Sequence, residues 1–310
     1  MLKTSTYQKI NTLYCRFKNL GKVELPNPKW IKMQNKIIPG EFSDLYMDYI
    51  KGLKFDCFSK IDGTNSKIVY YPSTGECFCG GKTDNADIVG NGQKAFLDAI
   101  IERIKPTLAE LFPSEIAKFG PKMNDSRQIM AGKYLDDIGY TDMDGIISDA
   151  GKYIIETEEL PVYIYGEFFG KKIQKCGGNY DKNNNRFAVF DICMQGWWLP
   201  IDMLAVYCAK LGLCLAPYLG QMTIEEAENM VKCGFKTCVP NVTNPDFIEE
   251  GIVARPTVPI KDPRGNRIIV KIKYCDYRDF DVAVKEIGGL EEYHKFYQWY
   301  KDNQKMIENL

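Results

Sequence analysis

Phe58-Ser59-Lys60-Ile61-Asp62-Gly63-Thr64-Asn65 is the stretch whose reading decides the fold. An apolar run (Phe55, Cys57, Phe58) leads into the lysine, and Gly63 with Asn65 reads as a turn. Ser66-Lys67-Ile68-Val69-Tyr70-Tyr71, bounded by Pro72 and Gly75, reads as a return strand. Lys60 therefore sits at the end of one strand, aimed into the space beside the next. A lysine amine is a nucleophile when part of it is kept neutral, and neighbouring cations disfavour an ammonium's charged form. Lys-x-Asp-Gly by itself is common by chance, and a hairpin with a solvated lysine is the plain alternative.

Four later stretches of the chain change the odds. Val162-Tyr163-Ile164-Tyr165-Gly166-Glu167-Phe168-Phe169-Gly170 is a strand ending in an acid between glycines. Arg186-Phe187-Ala188-Val189-Phe190-Asp191-Ile192 is a strand whose aromatic precedes an acid. Glu249-Glu250-Gly251-Ile252-Val253-Ala254-Arg255 and Ile269-Val270-Lys271-Ile272-Lys273 complete the series. Five motifs in this order resemble the covalent nucleotidyltransferases, the polynucleotide ligases and capping enzymes, and most closely the RNA ligases of the phage-type RNA ligase 2 group. The resemblance runs from about Ile10 to Tyr277.

The resemblance implies an α+β fold: an ATP-grasp-like nucleotidyltransferase (adenylation) domain with antiparallel sheets flanked by helices around a nucleotide cleft. It implies that Lys60 attacks the α-phosphorus of ATP to form lysyl-AMP. AMP then passes to an RNA 5′-phosphate, and a 3′-hydroxyl displaces it. Lys271 and Lys273, alternating on one strand, would face the same way and neutralise the α-phosphate. Glu250 resembles the carboxylate associated with Mg2+ (or Mn2+), through water. Glu167 would accept from a ribose hydroxyl, and Phe190 would stack on adenine. Asp62 and Asn65 match positions that orient phosphate or metal. Lys82, after Gly80 and Gly81, would meet a phosphate where many relatives carry arginine; lysine keeps the charge but loses the planar fork. Arg16 and Glu41 are further candidates to approach the nucleotide, with a surface loop and its supports as the plain alternative. Ser59 stands where close relatives often have glutamate. The partner implied is RNA with 5′-phosphate and 3′-hydroxyl ends, including a nicked duplex, acted on by a monomer. A DNA ligase, a capping guanylyltransferase and a nucleic-acid-binding pseudoenzyme are the alternatives.

Composition is that of an ordinary globular protein. The 310 residues are 45% hydrophobic and 26% charged, with net charge −1, so no global basic field announces nucleic acid. Any RNA contact must rest on a local patch. The 11 cysteines show no repeated metal-type pair; Cys77-x-Cys79 reads as two same-face residues of one strand. Free thiols, no signal peptide and no apolar run of membrane length predict a cytoplasmic protein.

Between the motifs, Phe96, Ile100, Ile104, Leu108 and Leu111 predict a helix that Pro106 kinks or splits. Residues 93–160 read as a helical insertion, with Asp142-x-Asp144-Gly145 as a turn. Lys171, Lys172 and Lys175 lie in a glycine-rich loop, readable either as a phosphate-facing edge or as a solvated loop. Met203–Leu211 predicts a helix ended by Gly212, and Thr223 with Glu226 predicts a capping box. Residues 1–277 form the expected nucleotidyltransferase domain and 278–310 a C-terminal helical extension. The extension is carried by one amphipathic helix over 291–310, with His294 on its surface. The 37 residues after Lys273 are too few for an OB domain.

Overall fold

The computed structural model describes residues 7–83, 86–90, 92–114, 161–194, 196–262 and 265–309. The expected insertion beyond 114, with its turn at 142–145, lies outside them. The chain opens with β1 (Asn11–Thr12), β2 (Tyr14–Arg16), a 3-10 turn (Pro28–Met33), β3 (Ile37–Phe42), α1 (Met47–Ile50) and β4 (Phe55–Ser59). Next come β5 (Thr64–Tyr71), β6 (Glu76–Gly81), α2 (Gln93–Leu111), β7 (Val162–Gly170), α3 (Gly177–Tyr180), β8 (Asn185–Met194), β9 (Trp197–Trp198), α4 (Ile201–Leu211) and β10 (Cys214–Leu215). Then come β11 (Tyr218–Met222), α5 (Ile224–Cys233), β12 (Gly251–Pro256), β13 (Val270–Lys273), α6 (Tyr274–Ile287) and α7 (Leu290–Glu308). This is a mixed α+β chain. Its larger sheets are antiparallel except for the short parallel pairs β1–β13 and β8–β10.

The contacts divide the chain into two compact units, one of Met1–Tyr7 with Gly63–Ala216, the other of Gln8–Asp62 with Pro217–Leu310. In the first, the sheet runs β10-β8-β7-β5-β6, with β9 on β8. Ile68, Tyr70, Val162, Ile164, Phe168, Val189 and Ile192 form one core with Leu97, Ile101, Ile104 and Leu108 of α2 and Leu204, Cys208 and Leu211 of α4. Strand side chains alternate, so Asn65, Lys67, Tyr165 and Glu167 fall on the face away from these helices. Pro106 does not divide α2, which is one helix of 19 residues. Ile101 and Ile104 before the proline and Leu108 after it are buried in the same core, and this packing holds the helix across the missing amide.

In the second unit the sheet runs β1-β13-β12-β4-β11. β4 lies between β12 and β11, and every residue of it is buried. Its core joins Phe55, Cys57, Ile252, Ala254, Val270 and Ile272 to Ile224, Ala227 and Val231 of α5. The expected capping box of α5 is present: Glu226 N donates to Thr223 Oγ1 at 3.2 Å, and Thr223 N to the Glu226 carboxylate at 2.7 Å. The C-terminal region holds two helices where the sequence predicts one, since α6 precedes α7 and ends at Gly288. Phe296 and Tyr300 of α7 bury against Phe17, Leu20, Trp30 and Met33 in a separate core, and His294 is exposed. Among the described residues no helix is long and apolar enough to cross a membrane.

One buried polar cluster bears on stability. Tyr14 Oη donates to Glu228 Oε1 at 3.0 Å, and Lys232 pairs with the same carboxylate at 2.8 Å. Burial first, and the Glu228 charge second, push the Tyr14 and Tyr277 hydroxyls well above the usual tyrosine range. A raised folded-state value means that the unfolded chain gives up these protons first, near pH ~10. Their contribution is therefore whole below about pH 10 and is lost as pH rises above it. Replacing Tyr14 and Tyr277 by Phe should flatten the fall of unfolding free energy between about pH 10 and 12, measured by urea unfolding; an unchanged slope would contradict this account. Gly251 makes a second constraint: its φ is +154°, and a Cβ there would lie 1.9 Å from the Ile272 carbonyl oxygen. Gly251→Ala should cost roughly 3 kcal/mol or more and lower the thermal midpoint by about 2–4 °C per kcal/mol; an unshifted midpoint would show that β12 and β13 can separate freely.

Candidate active site

The second unit carries Lys60, Asp62, Glu250, Lys271 and Lys273. β4 pairs with β12 so that Ser59 opposes Ile252, and Ile252 opposes Ile272 of β13. One step further, Lys60 N donates to Gly251 O at 2.9 Å, and Gly251 opposes Lys273. Lys60, Gly251 and Lys273 thus form a row across three strands, and Glu250 stands just before its middle member. The Glu250 carboxylate takes both amines. Lys60 Nζ donates to Oε2, and Lys273 Nζ pairs with Oε1 at 2.7 Å. The side chains of Lys60 and Glu250 are 20% and 17% exposed, reachable yet mostly screened from water. Burial works against the Lys273 charge, but the hydrogen bond and charge of Glu250 outweigh it and raise its value above the usual lysine range. Lys271 lies two residues from Lys273 on the same face of β13 and opposes Val253. Asp62 is half-buried.

Behind this row lies a group that the motif reading missed. Glu249 is 1% exposed. Its Oε2 accepts from Ser59 Oγ at 2.6 Å and from Thr237 Oγ1 at 2.7 Å, and its Oε1 from Glu250 N at 3.3 Å. An acid next to another acid carries no signal in the sequence of being buried. The available hint is Ser59, a small hydroxyl at the end of an otherwise apolar strand.

The first unit carries Asn65, Lys82, Glu167 and Phe190. Asn65 of β5 and Glu167 of β7 oppose each other in register and share a face. Glu167 is the one residue of β7 that is not buried. Gly63 must lack a side chain because β7 passes close by: a Cβ would meet Phe168 O at 2.5 Å and the Glu167 side chain at 2.8 Å. Phe190 is placed by a bulge. Tyr165 opposes Asp191 while Gly166 opposes Val189, which leaves Phe190 as the extra residue of β8. Val189 and Ile192 both face the helical core, so Phe190 and Asp191 both fall on the Glu167 face. Phe190 is half-buried and meets Tyr7 edge-on at 5.2 Å; Tyr7 Oη donates to the buried Asp191 at 2.8 Å. Tyr7, absent from the sequence reading, is thus a support of this face. Lys82 is exposed just after β6. Arg16 and Glu41, the further candidates near the nucleotide, both form ion pairs within the second unit. Arg16 pairs with Asp276 at 2.7 Å, and Glu41 with Lys301 at 2.8 Å.

The residues present fit a nucleotide in two respects. Asn65 Oδ1 is buried without a hydrogen-bond partner among the described residues, a costly state that a ligand donor would relieve. Phe190 offers a half-buried ring held off the core by the bulge. Among the described residues no cluster of three or more His, Cys, Asp or Glu side chains is set to hold a metal.

A sequence model of the RNA ligase family matches residues 55–273, more than two thirds of the chain. No curated protein matches it. Among solved structures the chain is similar to a Naegleria gruberi RNA ligase mutant with ATP and Mn, at 15% identity and a TM-score of 0.42, over 73% of this chain and 51% of that one. A second mutant of that ligase, with AMP and Mn, gives 14%, 0.42, 75% and 54%, and the ligase with PPi gives 13%, 0.40, 74% and 52%. The chain spans about half the length of these proteins. The family match opens at Phe55 on β4 and closes at Lys273 on β13, the span that holds Lys60, Glu250 and Lys273, and the chain belongs to the RNA ligase family.

Proposed function

We propose that the protein is an ATP-dependent RNA ligase acting through a lysyl-AMP intermediate, built on an ATP-grasp-like nucleotidyltransferase fold. The observation that carries this reading is the row Lys60–Gly251–Lys273 with Glu250 bridging both amines. Lys60, as the free amine, attacks the α-phosphorus of ATP. A P–N bond forms, the bond to the leaving oxygen breaks, pyrophosphate departs with that electron pair, and the amine gives up a proton. Charge develops on the phosphate oxygens, so cations fixed nearby lower the barrier. Lys271 and Lys273 supply two. When bound, a divalent ion would add Lewis-acid stabilisation of that charge, with Glu250 as its protein ligand. Asp62 and Lys82 serve the phosphates, Asn65 and Glu167 hold the nucleoside through hydrogen bonds, and Phe190 stacks on the base, a contact worth about 1–3 kcal/mol. AMP then moves to an RNA 5′-phosphate, and a 3′-hydroxyl displaces it to close a nick or join two ends. On this reading 1–277 is the catalytic part, with an insertion near 93–160, and 278–310 its helical extension.

The RNA contact is placed on the loop after β7. In a chain of net charge −1, residues 171–186 hold five cations and one carboxylate. The loop is anchored: Ile173 and Tyr180 are buried, and Lys171 N donates to Asn184 O at 3.0 Å. Lys171, Lys172 and Lys175 remain exposed on it. Fixed cations on a built loop suit a phosphate backbone better than cations on a flexible one, because less is lost in ordering them.

Two measurements test the reading. Intact mass after incubation with ATP and Mg2+, on protein first stripped with pyrophosphate, should show one added AMP on the wild type and none on Lys60→Ala. An adduct from GTP alone would move the protein to the capping class, and none from any nucleotide would make it a binding pseudoenzyme. Replacing Lys171, Lys172 and Lys175 by Ala should reduce the slope of log affinity for single-stranded RNA against log salt by about 2, at roughly 0.7 per phosphate contact. Self-adenylylation should stay within about twofold, since it needs no RNA, and an unchanged slope would remove the loop from the RNA contact.

A further inference from the structure

We propose that the buried carboxylate of Glu249 is a positioning residue for Lys60, acting through the Ser59 hydroxyl. The inference rests on Lys60 being the nucleophile of the ligase reaction. A carboxylate accepts hydrogen bonds and donates none, so the directions are fixed: Ser59 and Thr237 both donate to Oε2. Thr237 Oγ1 also accepts from Val239 N at 3.2 Å, and Thr237 N donates to Phe247 O at 2.8 Å, which locks it from its own segment. Glu249 N donates to Phe235 O at 2.9 Å. Glu249 is thus held by the 235–247 segment, and it reaches across to Ser59 of β4.

Ser59 is the residue before the nucleophile, just as Glu249 is the one before Glu250. Ser59 N donates to Pro217 O at 2.8 Å and Lys60 N to Gly251 O. These backbone bonds tie the strand end to its neighbours on both sides, and the Ser59 hydroxyl adds the side-chain link from it to Glu249, next to Glu250. Lys60 Nζ meets the Glu250 carboxylate only if two adjacent residue pairs, 59 with 249 and 60 with 250, keep step. An error at the first pair becomes a displacement of the amine at the second. Misplacing a reacting group by about 1 Å can cost on the order of 10²-fold in rate.

The test is single-turnover self-adenylylation of the full chain, read by intact mass. The amplitude counts folded, competent molecules and the rate constant reports the geometry of the amine. Ser59→Ala and Thr237→Val each remove one donor from the same oxygen, but only Ser59 carries the link to the nucleophile. Ser59→Ala should lower the maximal rate constant about 10–100-fold, with the amplitude kept and the half-saturating ATP concentration unchanged. Thr237→Val should cost far less, and Ser59→Thr should restore the rate because it restores the hydroxyl. Combining Ser59→Ala with Glu249→Gln should add nothing beyond the worse single variant, the mark of residues acting as a unit. Equal effects of Ser59→Ala and Thr237→Val, or lost amplitude at an unchanged rate constant, would reduce Glu249 to a structural role. Lysine acetylation with acetic anhydride gives an arm that needs no nucleotide. Lys60 should label several-fold faster in Ser59→Ala than in wild type, relative to the exposed Lys18, because the amine leaves its carboxylate. If wild type forms no adduct, the ligase reading fails by itself, and unchanged Lys60 labelling would separately overturn the positioning role.

Discussion

The structure depends most on one pairing register, that of β4 with β12 and of β12 with β13. Ser59 opposite Ile252 and Ile252 opposite Ile272 oblige Lys60, Gly251 and Lys273 to share a row. A slip of one residue in either pairing would turn every side chain of that strand to the other face. It would take the apolar residues of β4, Phe55 and Cys57, out of their core, and the amine of Lys60 away from Glu250. Core burial and site geometry therefore enforce the same register. The core is the larger energy: each fully buried large apolar side chain contributes about 1.5–3 kcal/mol, whereas an ion pair mostly withdrawn from water loses much of its Coulombic gain to desolvation. The core sets the register, and the charged row takes its geometry from it.

The first unit reaches its own arrangement by breaking a register. A regular β8 would alternate its side chains, and Phe190, next to the core residue Val189, would then share a face with Asp191 only by violating that alternation. The bulge supplies the violation, at a strand whose other members stay paired. Bulges recur beside functional sites because they re-aim one side chain without unmaking the sheet. The hydrogen bond from Tyr7 to Asp191 braces the bulged segment from the same face.

The strands that carry motifs are legible in the sequence because β-rich runs bounded by glycine and proline leave few other readings. The family is legible because five such runs come in one order. The bulge is not, since Val189-Phe190-Asp191 reads as plain alternation until the partner strand is known. Nor is the unbroken α2, where a proline penalty of about 3 kcal/mol has to be weighed against burial that only the fold reveals. Helix α6 leaves a signal that is easily absorbed by its neighbour: Tyr277, Phe280, Val284 and Ile287 keep helical spacing and Gly288 ends them, but they directly follow a strand motif and read as its tail. The Glu249 contacts leave no hint beyond the Ser59 hydroxyl at the end of an apolar strand, because whether an acid is solvated or buried is a property of what packs around it.

The two oxygens of Glu250 divide two tasks that a single acceptor would confuse. In the proposed reaction Lys60 must leave its carboxylate, and lose a proton, before it can attack phosphorus, because an ammonium has no lone pair. If Glu250 were held by Lys60 alone, that departure would also release Glu250 and cost the site its geometry. Lys273 prevents this. It holds Oε1 from the neighbouring strand, and its charge is favoured over its own burial by this carboxylate. Oε2 is then free to change partners while the side chain stays in place. The partly exposed position of the pair lets water, phosphate or a cation reach the exchanging oxygen. On the proposed reading the contact between Lys60 and Glu250 is a resting arrangement, and Lys273 is the fixed half of the site against which the nucleophile moves.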